Sequence, residues 1–214
     1  TCSPAGWCLT TLPDGDLVLK DIWPLEGRAF AIGTSPTVGV KVLEWVESER
    51  EWTYIDDGTQ NESGIGRYLG RIYAPTENEL YYGVSPGLIY HGVRSTSATE
   101  TWSWTRFELP DQSRIPGRPN AGYFPHPSWS SGALAVSEYA LGVWGTGPDD
   151  VYAWYLNAIF HWKSEDGGPA SWVLEHAARD VPETDQDLYF VSAAGTSAND
   201  IWFGGARPGT YRAC

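Results

Sequence analysis

An all-β, internally repetitive fold is what this 214-residue sequence predicts, and three observations predict it. Aromatics make up 14% of the chain, with 12 Trp and 12 Tyr, while 24 Gly and 15 Pro punctuate it, a mixture suited to short strands and tight turns. No window sustains apolar spacing at three and four residues, so amphipathic helices are not expected. The stretch "GTGPDDVYAW", from Gly145, is nearly rewritten from Gly195 as "GTSANDIWFG", the signature of an internal repeat.

Two further copies align with that pair: "APTENELYYG", Ala74 to Gly83, and more weakly "PLEGRAFAIG", Pro24 to Gly33. The anchors Gly33, Gly83, Trp154 and Gly204 then stand at intervals of 50, 71 and 50 residues. The long interval holds an insertion, "PDQSRIPGRPNAGYFPHPSWSSG", Pro110 to Gly132. Each copy opens on an apolar strand: "LVLKDIW", "YLGRIYA", "YALGVWG" and "LYFVSAAG". An acidic turn, with Asn78-Glu79, Asp149-Asp150 or Asn199-Asp200, leads to the second strand: "RAFAIG", "ELYYG", "DVYAWY" and "DIWFGG". In such turns Asp and Asn commonly bond their own backbone, and that structural role is expected here in preference to calcium binding. The third strand reads "VKVLEW", "LIYHG" and "AIFHW", with "TYRAC" closing the chain. The fourth carries a tryptophan, Trp52, Trp104 or Trp172, expected to pack between sheets or to cover an outer edge.

The last copy lacks a fourth strand, and "GWCLTTLPDGD", Gly6 to Asp16, supplies one, with Trp7 at the Trp52 place. Four-stranded units with the N-terminal strand completing the last describe a β-propeller, and ring closure would satisfy its strand edges. The expected blades are approximately 16–58, 67–110, 139–177 and 188–214 plus 6–12, with the insertion at 110–132, in one domain spanning 1–214. A piece of a larger ring is the competing reading. Closure brings Cys214 beside the strand that holds Cys8, so a Cys8–Cys214 disulfide is expected ahead of one from Cys2, in an oxidising compartment. The third thiol has no assigned partner.

Repeats of the form "GTGPDDVYA", "AIFHW" and "SW", after the opening "CSPAGWCLTTLPDGDLVLKDIW", resemble the Trp-rich propeller repeats of secreted or lipid-anchored surface proteins of myxobacteria and related bacteria. The resemblance spans Gly6 to Cys214 outside the insertion. It implies the propeller fold and an extracellular or cell-surface location, periplasmic or lipid-anchored forms included, and it implies no particular activity.

A formal charge of -13 argues against nucleic acid and anionic membranes as partners, and no apolar run approaches the roughly 18 residues of a membrane span. Neither a Walker loop, a dinucleotide fingerprint nor a Gly-x-Ser-x-Gly elbow is present, so no cofactor and no catalytic residue is assigned. "SEDGGPASW", Ser164 to Trp172, approximates the Asp-box turn of sialidases, which stabilises a fold without indicating catalysis. His91 and His161 hold equivalent places, with Glu44 in the first copy, and are expected as repeat side chains, not a metal site. The insertion belongs to no repeat, and loops that depart from a scaffold carry function disproportionately. Its Tyr123, Phe124, His126, Trp129 and Arg118, with Arg114 nearby, are the candidate ligand-binding residues, for a protein or glycan partner. The alternatives are a glycan-processing hydrolase or lyase with facing carboxylates at the ring centre, and an architectural subunit of a surface assembly.

Overall fold

A computed structural model describes Pro4, residues 10–62, 68–95, 101–110, Gln112, 141–164, 167–178 and 188–206. Among these residues there is no α-helix, and one 3-10 turn, Thr59–Asn61, follows the fourth strand. The first sheet contains, in spatial order, β1 (Val18–Leu25), β2 (Arg28–Ser35), β3 (Gly39–Val46) and β4 (Glu51–Tyr54). The second repeats that meander with β5 (Leu69–Thr76), β6 (Glu79–Val84), β7 (Leu88–Arg94) and β8 (Trp102–Glu108). The third does so with β9 (Leu141–Gly147), β10 (Asp150–Tyr155), β11 (Ala158–Lys163) and β12 (Ser171–Ala177). The fourth pairs β13 (Tyr189–Ser197) with β14 (Asp200–Ala206). Every pairing is antiparallel.

Copy by copy through β14, these are the strands read from the repeat. "TYRAC", Trp7, the three cysteines and nearly all of the insertion lie outside the described residues; of the N-terminal piece, Thr10–Asp16 is a loop leading into β1.

Register corrects one alignment. Opposite Glu44, His91 and His161 on the third strands stand Phe30, Tyr81 and Tyr152 on the second. The equivalent of Gly83 and Trp154 is therefore Ile32, not Gly33. A one-residue slip in a strand exchanges its two faces, so the correction decides which side chains meet the neighbouring sheet.

Successive sheets pack face to face through their first strands, β1 against β5, β5 against β9 and β9 against β13. Trp23 of β1 lays an edge on Tyr73 of β5, with ring centroids 4.9 Å apart. The equivalent Tyr73 and Trp144 each press on the glycine of a Gly-Thr pair in the following sheet. A Cβ at Gly145 would lie 2.9 Å from the Tyr73 ring and nearer still to the Asp150 carbonyl, and one at Gly195 2.9 Å from the Trp144 ring and nearer still to the Asp200 carbonyl. That close approach explains the glycine of the repeated stretch.

The threonine and the acid of that stretch explain each other. Thr146 Oγ1 donates to Asp150, and Thr196 Oγ1 to Asp200 at 2.6 Å. These carboxylates thus brace the turn through a threonine side chain four residues back, where bonds to their own backbone were expected.

Candidate binding end of the sheets

Each meander has two ends, and the insertion leaves from one of them. Leu109 N donates to Gly87 O at 2.8 Å, which sets the stem of the insertion beside the β6–β7 turn. The segments entering β1 and leaving β4 belong to the same end of the first sheet, because alternate strands run in opposite directions.

Carboxylates are dense there and already occupied. Asp16 accepts hydrogen bonds from Thr37 Oγ1 at 2.7 Å and Ser35 Oγ at 2.8 Å, which hold its carboxyl below the usual range. The buried Asp56 accepts from Val42 N, Gly58 N, Gln60 Nε2 and Lys41 Nζ, fastening the segment after β4 to β3. Asp57 caps Thr59 through both its backbone N–H and its hydroxyl, and Glu62 takes a bond from Arg106 at 2.9 Å across to β8. Tyr54 donates to Asp14, and burial together with that carboxylate pushes its hydroxyl far above the ordinary tyrosine value. These bonds give the groups a part in shaping the loops. Val18 and Tyr68 stand exposed at the start of the first and second sheets and add apolar surface to this end.

Of the predicted ligand-binding residues, Tyr123, Phe124, His126, Trp129 and Arg118, with Arg114, all lie outside the described residues, as does Asp166 of the Asp-box-like turn. Within that turn Ser164 Oγ donates to Gly168 O.

Elsewhere the structure supplies a repeated polar unit that motif reading missed. His91 stacks on Tyr81 with centroids 4.2 Å apart, and both bond Glu79, His91 at 2.9 Å and the Tyr81 hydroxyl at 2.7 Å. The third sheet repeats the stack, with His161 on Tyr152 at 4.1 Å, and sets Asp150 at an ion-pair distance of 3.3 Å from His161. In the first sheet the charges are exchanged: Arg28 stands in the acidic place and bonds Glu44, which Arg94 of the second sheet also bonds. The signal was present in opposite charges at the start of the second strand and the middle of the third, and it becomes legible only once register is known. Among the described residues no group of three or more His, Cys, Asp or Glu side chains could hold a metal ion.

Burial pushes the Glu79 carboxyl up, but hydrogen bonds from His91 and Tyr81 outweigh it and leave the carboxyl below the ordinary value. A depressed folded value means that its contribution to stability is complete well above the unfolded glutamate pKa of about 4.3 and is lost as pH falls through the folded value. The urea midpoint of the native protein should therefore fall toward that of Glu79→Gln as pH drops from neutrality to about 3. A gap between the two that stays constant with pH would remove Glu79 from this role.

The chain matches no known family model and no curated protein.

Proposed function

We propose that the four sheets are blades of a β-propeller and that the protein is a secreted or cell-surface binding module, engaging a protein or glycan through the insertion and neighbouring loops. The observation that carries this reading is the Leu109–Gly87 hydrogen bond. It sets the residue that precedes the insertion beside the β6–β7 turn, and a long departure from a repeated scaffold is where binding residues tend to gather. The meander order of the three four-stranded sheets, with first strands in succession against one another, supports this reading, because radial blades have their first strands innermost.

The hydrolase alternative needs two facing carboxylates near the centre. Among the described residues, the four first strands carry one, Asp21, and it accepts from Ile72 N at 3.0 Å and Arg71 at 3.4 Å. Binding is the reading this favours.

A glycan array and a panel of purified surface proteins, probed with the native chain, test it. Trp129→Ala should weaken the strongest interaction about 10-fold or more, as loss of a buried aromatic anchor does, with the thermal midpoint unchanged. Retained binding after deletion of residues 112–131 would overturn the assignment of the site, and a large loss of stability in Trp129→Ala would make the insertion a cover for apolar surface.

A further inference from the structure

The array has two unlike ends, and each lacks what every internal joint supplies. On the face that each sheet turns toward its predecessor, Ile72 and Val143 are each 1% exposed, whereas their equivalent in the first sheet, Ile22, is 50% exposed. On the opposite face, Phe30, Tyr81 and Tyr152 each meet an aromatic ring of the following sheet. Their equivalent in the fourth sheet is Trp202, paired with Ala194 as Tyr81 is with Tyr73, and it is 74% exposed. Among the described residues, β1 and β13 are not one of the closely packed strand pairs.

The ends are complementary in detail. In the joint between the second and third sheets, Tyr81 sets its ring edge-on at 6.3 Å from Trp162 and 6.0 Å from Trp172, two indoles paired across β11 and β12. The first sheet carries the same pair in the same register, Trp45 and Trp52, 5.7 Å apart and tilted at 46°. No aromatic of another sheet is seated on that pair among the described residues. Instead the pair lines an open groove of about 1010 Å³, whose wall includes Leu12 and Leu25 and whose rim includes Arg28, Arg50 and Glu51.

We infer that the Trp45–Trp52 groove is an interaction surface for a second copy of this chain, joined head to tail, with Trp202 of one copy seated where Tyr81 sits in the internal joint. The interface continues one the chain already builds three times, and it is heterologous, uniting two different surfaces of the same molecule. It concerns the outer faces of the end sheets and not the loops assigned to ligand binding, so either reading can fail while the other stands.

Sedimentation and light scattering of the full chain across about 1 to 200 µM test the inference. The native chain should associate with rising concentration. Trp202→Asp and Trp45→Asp, both changed at positions open to solvent or half-buried, should each weaken association about 10-fold or more. A mixture of the two should recover a dimer, since one variant keeps the groove and the other keeps the indole. Circular dichroism checks that each variant retains its sheets, and Trp45→Phe, which keeps a ring in the groove, should associate nearly as the native chain does. A native chain that stays monomeric throughout would overturn the inference in favour of closure within one chain. Association unaffected by either variant, or a mixture that fails to recover it, would overturn it as well.

Discussion

Tyr81→Ala should lower folding stability by about 3–5 kcal/mol, the range for removal of a large buried aromatic, seen as a fall in the urea midpoint. Tyr81 is fully buried where the second sheet meets the third. Its ring stacks on His91 and meets Trp162 and Trp172 edge-on, and its hydroxyl donates to Glu79. Truncation opens a cavity at the joint and takes one hydrogen bond from a half-buried carboxylate. Tyr81→Phe removes only the hydroxyl and should cost about 1 kcal/mol. The contrast separates the ring from the bond: if both variants cost the same small amount, the ring does not hold the joint. In a protein built from sheets stacked in succession, weakening one joint should also broaden the unfolding transition, because neighbours are coupled chiefly through their shared face.

Glu44→Ala should be comparably damaging, at about 3–5 kcal/mol, for an electrostatic reason. Glu44 is buried on β3 and bonds both Arg28 of its own sheet and Arg94 of the next. Arg94 lies under the Trp102 ring, with its guanidinium carbon 4.7 Å from the centroid, so it cannot swing into water without leaving that contact. Removing the carboxylate takes the shared counter-charge from both guanidinium groups, with the exposed Glu77 3.6 Å from Arg28 as a weaker substitute. Glu44→Leu combined with Arg94→Leu should be less destabilising than the two single changes added together, the mark of a coupled pair. Strict additivity would mean that the bridge contributes nothing to the joint between the first and second sheets.

The sequence by itself determined the strands and their order. The Gly, Pro and Asp turns and the recurring copies are local features, and local features specify a meander. It also showed that His91 and His161 are equivalents, because they lie in the copies whose spacing is clear. It misaligned the first copy by one residue, since "PLEGRAFAIG" shares too little with "GTGPDDVYAW" for composition alone to set the register. Pairing with β3 settled that, placing Phe30 opposite Glu44.

Only the tertiary structure decided what each repeated residue is for. The glycine of Gly145 and Gly195 answers first to a carbonyl of the paired strand five residues on, and then to a ring from the preceding sheet that lies outside any window a pattern can scan. The Arg28–Glu44–Arg94 bridge spans two sheets, and the exposure of Ile22 and Trp202 has meaning only against their buried equivalents. Turn and strand preferences act over a few residues, while the joints between sheets depend on shape and charge meeting across about 50 residues of chain, and that meeting exists only after folding.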